Sequence, residues 1–503
     1  MPHTTRRQLL QRASLLLAAP AFVRHARAAE IPRFALGVAS GQPRADGMVL
    51  WTRLTGAELP PRVPVDWELA DDEAFTRIVA RGREEAEAAW AHSVHAEPAG
   101  LASDRWYFYR FRALGQQSRS GRTRTAPAPD AAATLRLAIA SCQRWDQGHY
   151  AAWRHAAAAS LDCMAFLGDY IYESASPADA PRRHDGGRLR SLDDYRARYA
   201  QYKSDPALQD AHAACPWLLV WDDHEVENDY AGSMATTPRG LDMAALRAAA
   251  YQAYWEHQPF AKAQRPRGMD MRIYGRLDWG RLARIHLLDD RQYRDPQACP
   301  APPHTSGSNA VLLRDCPALA DPARTLLGRE QEQWLADGWS LERPWNLLAQ
   351  QTLMARYTSR PEGRYWTDGW DGYAAARQRL LAPVAARRVP GVVALGGDVH
   401  AHFVADLKAD FDDAKSPIVA SEFCGTSISS RGGDQRRVEA ALALNPHLHY
   451  AHADQRGYMA FEIGPRELKA SVLAVEQPLD PASAVQVAAR FVVDAARPGP
   501  QRA

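Results

Sequence analysis

The chain contains 503 residues, of which 46% are apolar and 24% charged. That composition excludes a disordered chain, and the length exceeds one ordinary domain, so two domains with their own cores are expected. Lys plus Arg total 61 against 59 Asp plus Glu, a balance that gives no reason to expect a nucleic-acid partner.

The first segment, 1–28, reads as a cleavable export leader. Thr4-Thr5-Arg6-Arg7-Gln8-Leu9-Leu10 precedes an apolar stretch over 13–23 that Pro20 interrupts, and Ala26-Arg27-Ala28 follows it. About eleven apolar residues are too few to cross a bilayer, which needs ~20 helical residues. The Arg6-Arg7 pair ahead of a moderately apolar run resembles a twin-arginine signal, which exports folded proteins; the plainer alternative is an ordinary secretory leader. Five arginines (Arg6, Arg7, Arg12, Arg24, Arg27) lie in this segment, and without them the balance is 56 basic against 59 acidic residues. No later stretch reaches eighteen unbroken apolar residues, so no membrane span is expected in the mature chain. The expected location is periplasmic or secreted, with the twin-arginine export machinery as a partner.

Over 29–125, short alternating runs are separated by turn formers, and Tyr107, Tyr109 and Phe111 fall on one face of the clearest strand. This block reads as an antiparallel β-sandwich. The Pro- and Ala-rich stretch 126–134 reads as a stiff linker. From 135 to 485 the pattern changes to unbroken apolar runs that stop at polar residues. The run 135–140 ends at Ser141-Cys142, 164–167 at Gly168-Asp169, 217–221 at Asp222-Asp223-His224, 285–288 at Asp289-Asp290-Arg291, and 392–395 at Gly396-Gly397-Asp398-Val399-His400. Strands this apolar are buried on both faces, which indicates an α/β layered core with functional groups beyond the strand ends. Residues 486–503 read as a C-terminal tail, fraying from Pro498. Of six cysteines, none in CxxC spacing, Cys163 and Cys215 read as small buried hydrophobes; Cys299 and Cys316 flank a Pro- and Gly-rich loop and either pair or stay free.

An Asp after a strand is usually a helix cap or turn former. Several at one sheet edge would repel severely, and a multivalent cation is the direct way to neutralise them. The ordered motifs Ala140-Ser141-Cys142-Gln143, Gly168-Asp169-Tyr170-Ile171-Tyr172-Glu173, Trp221-Asp222-Asp223-His224-Glu225-Val226-Glu227-Asn228, Leu288-Asp289-Asp290-Arg291-Gln292-Tyr293-Arg294, Trp370-Asp371-Gly372-Tyr373 and Gly397-Asp398-Val399-His400 resemble those of PhoD-type alkaline phosphatases, a branch of the calcineurin-like metallophosphoesterases. The resemblance covers essentially the whole mature chain.

The resemblance implies a layered α/β/β/α catalytic domain with two facing mixed sheets and a dinuclear centre of ferric iron and calcium at their edge. Carried over by motif, Cys142, Asp169, Tyr172 and His400 would hold iron. Asp169 would bridge to a second metal completed by Asp223, Asn228 and Asp398. Thiolate, phenolate and imidazole favour a transition ion, and carboxylate and amide oxygens suit calcium, although zinc or manganese can also use such ligands. The implied nucleophile is a metal-bound hydroxide attacking a phosphate ester. His224 would contact phosphate or assist the leaving group. Arg291 would contact phosphate, or equally form an ion pair with Asp289 or Asp290. For Tyr172 local geometry is adverse, because strict strand alternation puts it on the side opposite Asp169, and only a turn after Asp169 unites them.

Several positions depart from the family pattern. Asp290 stands where threonine is common, and Asn228-Asp229-Tyr230 replaces paired asparagines before tryptophan. His402 follows His400 as a further ligand, a phosphate contact or, as the favoured reading, a surface imidazole. Gln350 and Gln351 end an apolar run and would support metal ligands or cap a helix. The expected activity is hydrolysis of phosphomonoesters and phosphodiesters for phosphate acquisition. One alternative is a phosphodiesterase specific for phospholipid or polymer; another, of a different class, is a non-catalytic secreted protein holding calcium, which would have no need for Cys142 and His400.

Overall fold

The computed structural model describes residues 32–235 and 242–503. The leader, 1–28, lies outside the described residues. Residues 33–503 form one compact unit, and no described helix is long and apolar enough to cross a membrane.

The apolar runs are strands, as their composition requires. Leu135–Ala140, Cys163–Phe166 and Trp217–Leu219 pair in parallel at the centre of a ten-stranded sheet. Ala283–Leu287, Trp345–Ala349, Val392–Gly396 and Ile418–Cys424 pair in parallel within a seven-stranded sheet. Antiparallel strands flank both, so each sheet is mixed. The side-chain period of two divides each strand between two cores. Leu347 and Ala349 join Leu137, Ile139 and Met459 between the sheets. Leu348 instead packs outward with Leu335, Leu380 and Leu381, which belong to the helices Arg329–Gly338 and Ala374–Arg387. Helices Ala151–Ala158, Leu192–Lys203, Pro206–Ala214 and Met243–His257 cover the first sheet. The expected α/β/β/α layering with two mixed sheets is what forms.

The N-terminal block is a sandwich whose two sheets differ in ownership. Ile78–Glu87, Arg62–Ala70 and Trp106–Ala113 form an antiparallel sheet of their own, with Tyr107, Tyr109 and Phe111 buried on its inner face. Opposite lie Val38–Arg44, Gly47–Arg53 and Ser93–Ala96, and these continue the ten-stranded sheet through the parallel pairing Gly41↔Trp217. The linker 126–134 therefore joins two parts that already share a sheet.

Two expectations need amendment or completion. Residues 486–503 are no fraying tail: Val485–Asp494 and Arg497–Arg502 are the last two strands of the ten-stranded sheet. The alternation of buried Ala489, Phe491 and Val493 secures the first of them, and Gly499 donates its N–H to Ser421 Oγ at 3.0 Å to secure the second. Cys299 and Cys316, left open above, are joined by a disulfide.

Candidate metal centre

The strands Leu135–Ala140, Cys163–Phe166 and Val392–Gly396 deliver Cys142, Asp169, Asp398 and His400 to one place, and the chain after each of them turns sharply. Cys142, Asp169, Asp398 and His400 have φ of 57°, 60°, 63° and 52°, the left-handed region that side chains enter at a cost. Such outliers cluster where surrounding structure over-determines them. Gly168 just before Asp169 is obligatory for this turn: its φ is +108°, and an added Cβ would lie 2.6 Å from the Asp222 backbone nitrogen. The turn carries Tyr172 back toward Asp169, so strand alternation does not apply, and Tyr172 Oη donates to Asp169 Oδ2 at 2.7 Å. It also lies 3.2 Å from His400 Nε2 and receives a hydrogen bond from Ser430 at 2.7 Å.

A buried carboxylate that motif reading left without a role shapes this edge. Glu225 accepts the backbone N–H groups of Asp169, Tyr170 and Asp222, clamping two ligand-bearing turns to each other. It stands in the quoted Asp223-His224-Glu225 triplet, which was the available signal. Burial, with the Asp169 charge next, pushes Glu225 up to about 8 despite these bonds.

Three overlapping sets of donor atoms lie within 4.8 Å of one another: Cys142 with Asp169 and His400; Asp169 with Asp223 and His224; Asp222 with Asp223 and Asp398. Five of the seven ligand positions expected from motifs are thus gathered, and Tyr172 joins by its hydroxyl. Asn228 is half-buried and lines the same pocket, and its neighbour Asp229 donates its N–H to Asp223 Oδ2 at 2.7 Å.

These groups resist sharing one place without cations. Burial and the Asp169 charge push the Cys142 thiol and the Tyr172 phenol well up. Burial, partly offset by Arg291 and reinforced by neighbouring acids, pushes Asp222 and Asp398 well above the carboxylate range. Asp223 is held low: burial would raise it, but Arg291, His224 and the Asp229 N–H together outweigh that burial. Asp169 Oδ1, Asp222 Oδ2, Asp223 Oδ1 and Asp398 Oδ2 are buried without hydrogen-bond partners. Orphaned carboxylate oxygens are costly in a protein interior; together with a thiol, a phenol and an imidazole they fit metal ions, with harder oxygen donors on one side and softer ones on the other.

The two residues expected to act on phosphate separate. His224 lines a pocket of about 570 Å³, its ring packed on that of Tyr172 with centroids 4.1 Å apart. Its Nδ1 is held by Glu173 Oε2 at 2.6 Å, which leaves Nε2 for the pocket. The carboxylates of Glu173, Asp223 and Asp169 outweigh burial and raise His224 well above the ordinary imidazole range.

Arg291 is corrected: it is 1% exposed and lies behind the acids. Its guanidinium donates to Asp222 and, at 2.8 Å, to Asp368, rather than pairing with the Asp289 or Asp290 side chains. At 4.0 and 3.9 Å from Asp223 and Asp398, it is a counter-ion to the cluster and is not among the residues that line the pocket. His402 is corrected too: it is fully buried in strand His402–Lys408, receives the Thr426 N–H, and is pulled down to about 3 by burial. Gln351 does support the edge, donating to the carbonyls of Trp221 and Leu288 at 2.8 and 2.9 Å. Glu173, Asp222, Asp368 and Ser430 also went unassigned from sequence; the first two stand inside quoted motifs, whereas Asp368 and Ser430 carry no local mark.

Candidate metal donors gathered where two facing sheets meet one pocket match the arrangement of a metal-dependent hydrolase of the layered α/β/β/α class. Residues 137–472 match the family model described as PhoD-like phosphatase, and residues 18–127 match that of the PhoD-like phosphatase N-terminal domain; the chain belongs to the PhoD-like phosphatase family. It is 42% identical over 481 residues to alkaline phosphatase D of Bacillus subtilis (strain 168), covering 91% of this chain and 80% of the relative. A solved structure of PhoD superposes with a TM-score of 0.88 at 40% identity, covering 93% of this chain and 92% of the other. Purple acid phosphatase PPD1 from yellow lupin seeds matches at a TM-score of 0.54 and 10% identity, covering 91% and 74%, a likeness of fold alone. The protein is accordingly a phosphatase, a hydrolase of phosphoric esters, whose relatives imply metal ions, and the groups gathered at this edge are candidates to bind them.

Proposed function

We propose that the protein is an exported phosphoesterase working at a two-ion centre, with a ferric ion held by Cys142, Asp169, Tyr172 and His400, and a calcium ion held by Asp223, Asn228 and Asp398, Asp169 serving both. The observation that carries this reading is the set of buried, partnerless oxygens on Asp169, Asp223 and Asp398 beside the sulfur, phenol and imidazole donors. When bound, the ions would acidify water at the site and offset negative charge on the phosphoryl oxygens.

The remaining steps belong to side chains. His224, kept protonated by Glu173 on Nδ1, holds a phosphoryl oxygen or delivers its Nε2 proton to the departing alkoxide. Glu173 fixes the ring so that Nε2 is the nitrogen available to substrate. Glu225 holds the Asp169 and Asp222 turns against each other, and Arg291 balances the acids from behind. Export by a twin-arginine route is supported by Arg6-Arg7 ahead of the apolar stretch, and an oxidising destination by the Cys299–Cys316 disulfide. The reading makes phosphate acquisition outside the cytoplasm the protein's role.

The test is elemental analysis of the purified protein with a visible spectrum and a phosphate-release assay. Iron and calcium in near-equal amounts, a coloured protein whose absorption band is lost in Tyr172→Phe, and activity on aryl phosphate esters are expected. A colourless protein that is fully active, or one active after exhaustive chelation, overturns the proposed centre.

A further inference from the structure

The pocket above the acids is not uniform. Its floor carries Asp169, Asp223 and Asp398, while its far wall is apolar, built by Leu353, Tyr357, Trp366 and Phe403. It adjoins a second depression, of about 580 Å³, that shares Ala310, Ser359 and Arg364 with it and is further lined by Arg360 and Arg437. One continuous groove thus combines acids, apolar side chains and, from the junction of the two depressions onward, arginines.

The arginine end of this groove is held in place. Arg364 and Trp366 belong to the strand Arg364–Trp366, which pairs antiparallel with Ala310–Leu312. This two-stranded ribbon is bound to the disulfide, since Asn309 Nδ2 donates to the Cys299 carbonyl at 2.9 Å. It is also bound to the acids, since the Ser308 N–H donates to Asp229 Oδ2 at 2.9 Å and the Asp229 N–H to Asp223 at 2.7 Å. Arg364 is oriented by donating to the Ala310 carbonyl at 2.8 Å, and its Nε is buried without a partner. Among the described residues, only Arg437 of the three arginines has a carboxylate within ion-pair reach, Asp434 at 3.6 Å.

An apolar wall does not hold a phosphoryl group, and an aliphatic or aromatic group alone does not call for three arginines. We propose that this groove is a leaving-group subsite, and that it selects phosphate esters whose organic half carries a second anionic group, a phosphate, phosphonate or carboxylate, beyond an apolar portion. The apolar portion lies against Tyr357, Trp366 and Phe403, and the second anion meets Arg360, Arg364 and Arg437. The three arginines determine this specificity together, with Arg364 fixed where the two depressions join. This inference rests on the phosphoesterase reading above.

The test compares 4-methylphenyl phosphate with 4-(phosphonomethyl)phenyl phosphate, which differ only in the distal anion; hexyl phosphate and 6-phosphonohexyl phosphate repeat the comparison on a flexible chain. In the wild-type protein the distal phosphonate is expected to lower KM about tenfold, as two or three exposed charge contacts would give, with little change in kcat. The gain shrinks as salt rises, because exposed contacts are screened. In Arg364→Gln/Arg437→Gln, and independently in Arg360→Gln/Arg437→Gln, which leaves the ribbon's own hydrogen bond intact, the ratio of the two KM values collapses toward one. An equal gain on the aryl and hexyl pairs assigns the selection to the anion alone, and a gain on the aryl pair only adds a flat spacer to it. Binding of 1,4-phenylenebis(methylphosphonate), followed by calorimetry, is expected to weaken about tenfold in both variants. No preference for the distal anion in the wild type, or a preference that survives both double substitutions, overturns the subsite. If neither ester is hydrolysed, the phosphoesterase reading fails, and the calorimetric comparison still decides the subsite.

Discussion

The back and the front of the acid cluster each present arginines, in opposite conditions. Behind it, Arg291 and Arg294 are about as buried as side chains become and are committed to Asp222 and Asp368. In front, Arg360 and Arg437 are exposed, and Arg364 is half-buried with one nitrogen unpartnered. Guanidinium groups of one chemistry thus do two jobs: a buried, paired arginine is part of the acids' own support, and only one with spare hydrogen-bond capacity is free to choose a ligand. A motif arginine beside clustered acids is not thereby a phosphate-binding residue.

The sharpest way to break this contrast begins at the acids themselves. Asp169→Asn is expected to reduce kcat by roughly 10³-fold or more and to lower the bound metal, measured by phosphate release and elemental analysis, because one carboxylate serves both proposed ions. Unchanged metal content with near-normal turnover would remove Asp169 from the centre.

Arg291→Leu strands two buried carboxylates, so a loss of about 3–5 kcal/mol in urea unfolding is expected. Arg364→Leu, at the front, should cost within about 1 kcal/mol. Equal losses at the two positions would mean that the front arginine is structural as well.

A smaller effect concerns the ground beneath the apolar wall. Glu422 accepts the backbone N–H groups of Met354 and Ala355 at 2.6 and 2.7 Å, and burial, which outweighs these bonds, pushes it up to about 7 from 4.5. The folded chain therefore keeps a proton that the unfolded chain has released. This contribution is complete below about pH 4.5 and is lost as pH rises through 7, a change worth up to about 3 kcal/mol. Glu422→Gln should gain on the wild type by that order between pH 5 and 8 in urea titrations, and a pH-independent difference would show that Glu422 is ionised throughout.

Sequence reveals the acids better than it reveals their neighbours. An apolar run ending in Asp or His marks a buried parallel strand and the group it delivers, so Cys142, Asp169, Asp223, Asp398 and His400 were legible from local pattern and motif. Of the two partners of Arg291, Asp368 was not, because it lies 77 positions away and follows no apolar run. His402 reads as polar and exposed until the strand His402–Lys408 is seen inside its sheet. The approach of Tyr172 to Asp169 depends on the hand of a single backbone turn, which side-chain alternation does not encode. The continuity of the N-terminal strands with the catalytic sheet depends on one pairing, Gly41↔Trp217, between segments that look unrelated along the chain.

The left-handed backbone at Cys142, Asp169, Asp398 and His400 limits what evolution or a designer can substitute there. Residues branched at Cβ are disfavoured by the main chain before coordination is even considered, whereas asparagine and glycine are admitted readily. The repertoire of ions this scaffold could be retuned to accept is thus filtered first by torsion angles and only then by affinity.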